Sequence, residues 1–156
     1  MEPYKILMIE DNAEIRKINR YVLADCGYEV LEAANLAEGG ALLEKERPGL
    51  LILDGELPDG SGFDFCRELR KRSGIPVLFL SSLVSDADVN KGYAAGGNGY
   101  LTKPYLLDTM IGLVKTLLPP GGSDETRSGR EGAGVNMEVR NEIVILNTQE
   151  INTGPA

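Results

Sequence analysis

Five times between residues 5 and 118 a short apolar run gives way to a stretch of helical periodicity, and this alternation restricts the fold more than any other feature. KILMIE (5 to 10) reads as a strand. A helix from Asn12 to Cys26 follows, with Ile15, Ile18, Val22 and Leu23 at helical spacing and Gly27 as the stop signal. The unit recurs as YEVLEA then LAEGGALLEKE, LLIL then FDFCRELRKR, PVLFL then DADVNKGYAA, and GYLT then LLDTMIGLVKTLL. Strands such as LLIL and VLFL are apolar on both faces and need cover on both sides. The expectation is an α/β fold, a doubly wound parallel sheet of five strands with helices on both faces.

Sheets of this type bind ligands beyond the carboxyl ends of their strands. Asp54 lies there, directly after LLIL, where an unpaired charge in the core would be penalised by desolvation. The same rule places Glu10 and Asp11 after the first strand, Ser81 and Ser82 after the fourth, and Lys103 just past the fifth. Acids, hydroxyl and lysine thus converge on one edge. Carboxylates brought this close repel one another, and a cation among them resolves the conflict. A hard ion with oxygen ligands that keeps some of its waters is Mg²⁺. Lys103 adds a second positive charge and Ser81 a hydroxyl donor, an arrangement suited to a phosphoryl group.

Composition narrows the alternatives. A chain of 156 residues with 42% hydrophobic content supports about one domain, and a net charge of -8 argues against unspecific binding to nucleic acid or anionic membrane. With no histidine, Ser-His-Asp and Cys-His schemes are excluded, as are the usual nitrogen ligands of zinc. Cys26 and Cys66 sit in apolar-periodic stretches without paired spacing, which reads as two small hydrophobes in a reducing compartment. No apolar run approaches the roughly 18 to 20 residues of a membrane span, and MEPYK lacks a signal-peptide core. A cytoplasmic protein without membrane contact is expected.

Four segments in this order, IED (9 to 11), LDGELPDGSG (53 to 62), LSS (80 to 82) and GYLTKPY (99 to 105), resemble the receiver domains of two-component response regulators, the CheY-like family. The resemblance covers residues 5 to 118. It implies a flavodoxin-like strand order 2-1-3-4-5, Asp54 as phosphoacceptor, and a histidine kinase or phosphotransfer protein as partner. Asp11 and Asp54 would be direct Mg²⁺ ligands, with the backbone carbonyl of Glu56 as a third and Glu10 acting through water. Lys103 and Ser81 would contact the phosphoryl oxygens, and the Lys103-Pro104 bond would be cis. By the same resemblance Ser81 shifts toward the phosphoryl group, and Tyr100 then turns inward, altering the face formed by the fourth helix, fifth strand and fifth helix. The protein is a switch in this reading, catalysing only its own phosphorylation and dephosphorylation. Glu56, an acid two residues after Asp54, bears on the lifetime of the phosphoryl group.

Each residue also has a plainer role. Glu10 and Asp11 favour a helix N-terminus, and Asp54 suits a turn before Pro58 and Gly60. Ser81 and Ser82 can satisfy strand-end backbone, Lys103 can be a solvated charge, and Tyr100 a half-buried strand aromatic. Two other function classes fit the same acids: a Mg²⁺-dependent phosphohydrolase working through an aspartyl-phosphate, and a receiver-like binding module that takes no phosphate.

Beyond residue 118 the character changes. LPPGGSDETRSGREGAG is Pro, Gly, Ser and charge without periodicity, a flexible linker over 119 to 134. Residues 135 to 156 read as a short β segment, two strands around Arg140-Asn141. That segment resembles the opening sheet of the effector in winged-helix, OmpR/PhoB-like regulators, incomplete here because no DNA-binding helix follows. DNA contact would therefore need an effector domain that these residues only begin. Regulators of that class form homodimers through charged pairs, yet GGNGY (96 to 100) has no acid and LLDTMIGLVKTLL no arginine. An exposed sheet edge, of this chain or another, is a second partner for the two strands.

Overall fold

The computed structural model describes residues 4 to 119, 137 to 140 and 143 to 146. The five alternating units are present in order: β1 (Lys5–Ile9), α1 (Ala13–Asp25), β2 (Glu29–Ala33), α2 (Leu36–Glu46), β3 (Leu50–Leu53), then a small antiparallel hairpin of β4 (Glu56–Leu57) and β5 (Gly60–Ser61), α3 (Gly62–Leu69), β6 (Val77–Ser81), α4 (Asp86–Ala94), β7 (Gly99–Thr102) and α5 (Leu107–Leu117). Strands β2, β1, β3, β6 and β7 pair in that order, all parallel, which is the expected order 2-1-3-4-5.

Successive strand residues point to opposite faces, so each strand feeds two cores. Ile6, Met8, Leu50, Ile52, Leu78 and Leu101 pack with Leu23 of α1 and Met110, Leu113 and Val114 of α5. Leu7, Ile9, Leu51, Leu53, Val77 and Phe79 pack on the other side with Phe63 and Cys66 of α3 and Val89 of α4. Both cysteines are free thiols, Cys66 buried and Cys26 half-buried, as read from their apolar surroundings.

Helix starts follow local chemistry. Asn12, Asn35, Ser61 and Ser85 each accept a hydrogen bond from the backbone three residues on, satisfying N–H groups that the helix leaves unpaired. Gly27 adopts φ +100 after α1, a conformation that glycine takes without a Cβ penalty. Asp59, in the β4–β5 turn, accepts from the N–H groups of Leu36 (2.8 Å) and Ala37 (3.0 Å) at the start of α2. These bonds, the one from Leu36 foremost, hold its carboxyl below the usual carboxylate range. The hairpin beside Asp54 is thereby pinned to a neighbouring helix.

Two further strands extend the expected five-stranded parallel sheet beyond β7. β8 (Met137–Arg140) pairs parallel with β7, and β9 (Ile143–Leu146) pairs antiparallel with β8. Of the two partners expected for this segment, the edge of the same chain is the one observed. The expected linker lies outside the described residues apart from Pro119. Among the described residues no helix is long and apolar enough to cross a membrane.

Candidate functional site

β1 and β3 are adjacent and parallel, so their carboxyl ends bring Glu10, Asp11 and Asp54 to one place. A carboxylate oxygen from each lies within 4.8 Å of the others. Oxygens bound to one octahedral Mg²⁺ at 2.0 to 2.1 Å stand roughly 3 to 4 Å apart, so the donor set and its spread suit a hard divalent cation. Glu10 (2% exposed) and Asp54 (6% exposed) are buried, whereas Asp11 faces solvent. The exposed Glu56 side chain is outside this cluster, but its backbone N–H donates to Asp54 Oδ1 at 3.1 Å.

Lys103 reaches back across the strand ends. Its Nζ lies 2.8 Å from Glu10 Oε1 and 2.9 Å from Asp54 Oδ2. Burial by itself pushes this ammonium down, yet its hydrogen bonds and the charges of Glu10 and Asp54 outweigh that, and its pKa is raised. Burial raises the Glu10 carboxyl, against the opposing bonds from Lys103 and the N–H of Asn12. The lysine is held by β7: its backbone N–H donates to the carbonyl of Ser81 at 2.9 Å, and a cis Lys103-Pro104 bond follows, as the resemblance implied.

Ser81 is fully buried at the end of β6, where its Oγ accepts from the N–H of Leu83 at 3.1 Å. Its own proton has no acceptor among the described residues. A buried hydroxyl with an unspent donor, at the strand end beside Asp54, is suited to an anionic oxygen. Ser82 is exposed.

Tyr100, the residue expected to turn inward after phosphorylation, lies on β7. It is already inside, 0% exposed, stacked against Phe63 and tilted against Phe79, with its hydroxyl donating to the Leu83 carbonyl at 2.8 Å. The reason is space on α4. A Cβ added at Gly92 would stand 2.9 Å from two carbons of the Tyr100 ring, closer than packed atoms tolerate. Gly92→Ala is accordingly expected to lower stability by about 1 to 3 kcal/mol in urea denaturation, the usual cost of overpacking. Combined with Tyr100→Ala the penalty disappears if the ring is the obstacle, and a double-mutant cycle without coupling would refute that assignment.

Sequence reasoning missed three contributors. Arg16 on α1 donates to the Glu10 carbonyl at 2.7 Å and pairs with Glu32 of β2 at 3.3 Å, fixing the turn that carries Glu10 and Asp11. Asn19, buried on α1, donates to the Tyr105 hydroxyl at 2.8 Å and so ties the segment after Lys103 to that helix. Gly62 passes against the backbone of Asp54. None has a periodic signature: Gly62 closes the LDGELPDGSG segment but nothing local announces its contact with Asp54, and Arg16 and Asn19 also bond residues of other elements; only the polar Asn19 on an apolar helix stripe was a detectable anomaly.

Comparison with known proteins places the fold in a family. Residues 6 to 115 match the response regulator receiver domain family. The "Probable transcriptional regulator ycf27" of Porphyridium aerugineum is 34% identical over 118 residues, covering 76% of this chain and 49% of that protein. "Sensory transduction protein RegX3" of Mycobacterium tuberculosis is 32% identical over 152 residues, covering 94% of this chain and 66% of its own. The chain thus spans about half to two thirds of the length of the curated relatives it matches. Among solved structures, chemotaxis protein CheY4 of Vibrio cholerae superposes with a TM-score of 0.69 at 32% identity, covering 74% of this chain and 98% of that one. A two-component response regulator from Clostridium difficile gives a TM-score of 0.73 at 25% identity, covering 77% of this chain and 99% of that one. A match spanning the whole alternating region, on the fold those structures share, means that this chain belongs to the response regulator receiver domain family.

Proposed function

We propose that this protein is a phosphorylation switch in which Asp54 accepts a phosphoryl group from a histidine kinase or phosphotransfer protein. The observation that carries the reading is the buried Asp54 carboxylate at the end of β3, with the Lys103 ammonium 2.9 Å away and two further carboxylates beside it. Asp54 is the nucleophile: one oxygen bonds to phosphorus as the bond from phosphorus to the donor breaks. Lys103, released from Asp54 Oδ2, follows the charge onto a phosphoryl oxygen, and the Ser81 hydroxyl donates to another. Asp11 and Asp54, the Glu56 carbonyl, and Glu10 through water would hold Mg²⁺, which when bound neutralises the carboxylates and the incoming phosphoryl oxygens.

The product carries about one more negative charge than the carboxylate and additional acceptor oxygens, which supplies the energy for switching through Ser81 and β7. Residues 1 to 118 form the receiver in this reading, 119 to 134 a linker, and 135 to 156 the beginning of a further unit. Because several relatives are named as transcriptional regulators, the output of the longer protein would be transcription through a DNA-binding effector, in the cytoplasm where the kinase domain resides. The net charge of -8 argues against unspecific DNA binding by this chain.

Intact mass after incubation with acetyl phosphate and Mg²⁺ tests the proposal. One added phosphoryl group is expected, lost without Mg²⁺ and lost in Asp54→Asn. Equal labelling of Asp54→Asn would reject Asp54 as acceptor, and sustained release of phosphate from many esters would make the protein a phosphohydrolase.

A further inference from the structure

The Mg²⁺ site proposed above takes one ligand from the backbone, the Glu56 carbonyl, so its geometry depends on where the β4–β5 hairpin rests. That hairpin is small, two strands of two residues each, paired Glu56 to Ser61 and Leu57 to Gly60. A ladder this short needs support from its surroundings. At its base the Gly62 N–H bonds the Gly55 carbonyl, and the Glu56 N–H bonds Asp54 Oδ1. Between Gly55 and Gly60 only Glu56 and Asp59 carry polar side chains, and the Glu56 side chain faces solvent. Asp59 is therefore the side-chain anchor of the tip. Its two oxygens take different donors, Oδ1 the N–H of Leu36 and Oδ2 that of Ala37, which fixes the carboxylate in orientation as well as position. Its charge at the N-terminus of α2 adds to that attraction. The rest of this helix end is satisfied without the hairpin: Asn35 accepts from the Glu38 N–H at 2.9 Å, and Glu38 Oε1 from the Ala34 N–H at 2.9 Å. On its other side α2 lies against β1, with Gly39 on the side chain of Ile9, the residue before Glu10.

We propose that Asp59 is a positioning residue of the cation site: by clamping the hairpin to α2 it sets the Glu56 backbone against the acids that follow β1, and it thereby raises the affinity for Mg²⁺. The inference rests on the cation site read above and adds to it a residue that touches neither the ion nor the phosphoryl group. Two halves of the ligand set, Asp11 after β1 and Glu56 on the hairpin, belong to separate elements, and α2 is the body that both touch. Mg²⁺ demands nearly ideal octahedral geometry at about 2.0 to 2.1 Å, so a small displacement of one ligand is felt. Groups that orient ligands from behind commonly change affinity by about 10- to 100-fold. The coupling is reciprocal: an ion that favours the clamped hairpin strengthens the bonds from Leu36 and Ala37 to Asp59 by the same factor.

Mg²⁺ titration of the full chain, followed by amide NMR shifts and without phosphodonor, measures the effect. Asp59→Ala is expected to weaken Mg²⁺ binding by about 10- to 100-fold, and Asp59→Asn, whose amide oxygen keeps one acceptor, to fall between Asp59→Ala and wild type. Equal affinity in wild type and Asp59→Ala would overturn the proposal. Asn35→Ala separates positioning from helix stability, since it uncaps the same helix and leaves the hairpin bonds in place. It is expected to lower the denaturation temperature while Mg²⁺ affinity stays at the wild-type value, and a loss of affinity equal to that of Asp59→Ala would overturn the proposal. Hydrogen exchange reads the clamp in wild type, with no variant to fold. The Leu36 and Ala37 amides are expected to exchange about tenfold slower in saturating Mg²⁺, and an unchanged rate would overturn the coupling. Wild type that binds no Mg²⁺ would remove the cation site and this proposal together. A failure of Asp54 as phosphoacceptor alone appears only in the intact-mass experiment, because none of these readouts requires phosphorylation.

Discussion

Lys103→Met is expected to destabilise the protein by about 3 to 5 kcal/mol in the absence of divalent cations, the range for stranding one partner of a buried ion pair. The wild-type ammonium has 15% of its side chain exposed and serves two carboxylates that are buried more deeply still. Without it, Glu10 and Asp54 face each other in a poorly solvated space, and methionine supplies volume without charge. Desolvation, which already raises the Glu10 carboxyl, then lacks the opposing bond from Lys103. A carboxyl whose pKa is higher in the folded than in the unfolded state favours folding below its unfolded pKa. That contribution is lost as pH rises through the folded pKa. The variant should therefore be closest to wild type in mild acid and furthest from it at neutral pH. Mg²⁺, a cation that can take the place of the ammonium, should restore much of the loss. Urea denaturation at two pH values, with and without Mg²⁺, measures both effects. Equal stability of variant and wild type at neutral pH without Mg²⁺ would mean that the lysine does not compensate these acids.

Gly62→Ala is expected to be the most damaging substitution that changes no charge. The added Cβ would stand 1.9 Å from the Asp54 carbonyl oxygen, 3.0 Å from its carbon and 3.2 Å from Gly55 Cα. Every one of these is a backbone atom, so no rotamer change relieves the overlap. The close approach is itself held by the Gly62 N–H donating to the Gly55 carbonyl at 2.9 Å. Relief requires α3 to move away from the end of β3, carrying the β4–β5 hairpin with it. The cost should exceed about 3 kcal/mol, above ordinary overpacking, and phosphoryl uptake should fall with it because Asp54 itself is displaced. Gly112→Ala is the matched control, an exposed position in α5 with nothing within 4 Å of the new Cβ. There alanine should stabilise by about 0.5 to 1 kcal/mol through helix propensity. If thermal denaturation finds the two variants alike, the tight contact at Gly62 is wrong.

How far the sequence reaches depends on whether a contact leaves a local trace. The five strand and helix pairs were legible because amphipathic spacing and stop signals such as Gly27 are written within a few positions of the structure they specify. Glu10, Asp11, Asp54, Ser81 and Lys103 were legible as a group because a parallel sheet sends every strand end of one sense to the same edge. What that edge looks like was not. Lys103 between two buried acids, Arg16 on the Glu10 carbonyl and Gly62 against Asp54 are decided by distances between separate elements, and no periodicity encodes a distance.

Tyr100 and the terminal strands mark the same boundary. The sequence announces an aromatic on the fifth strand and two further strands after residue 134. It does not say that Gly92 leaves room for the ring to lie inside, nor that the last strands join β7 rather than another edge. By itself the sequence determined the layers and the residues at the carboxyl edge, because burial pattern and a parallel sheet suffice for those, and its resemblance to a family supplied the strand order. Only the tertiary structure decided which charges neutralise one another, where the Tyr100 ring rests and what covers the sheet edge, because those outcomes depend on the space left between packed elements.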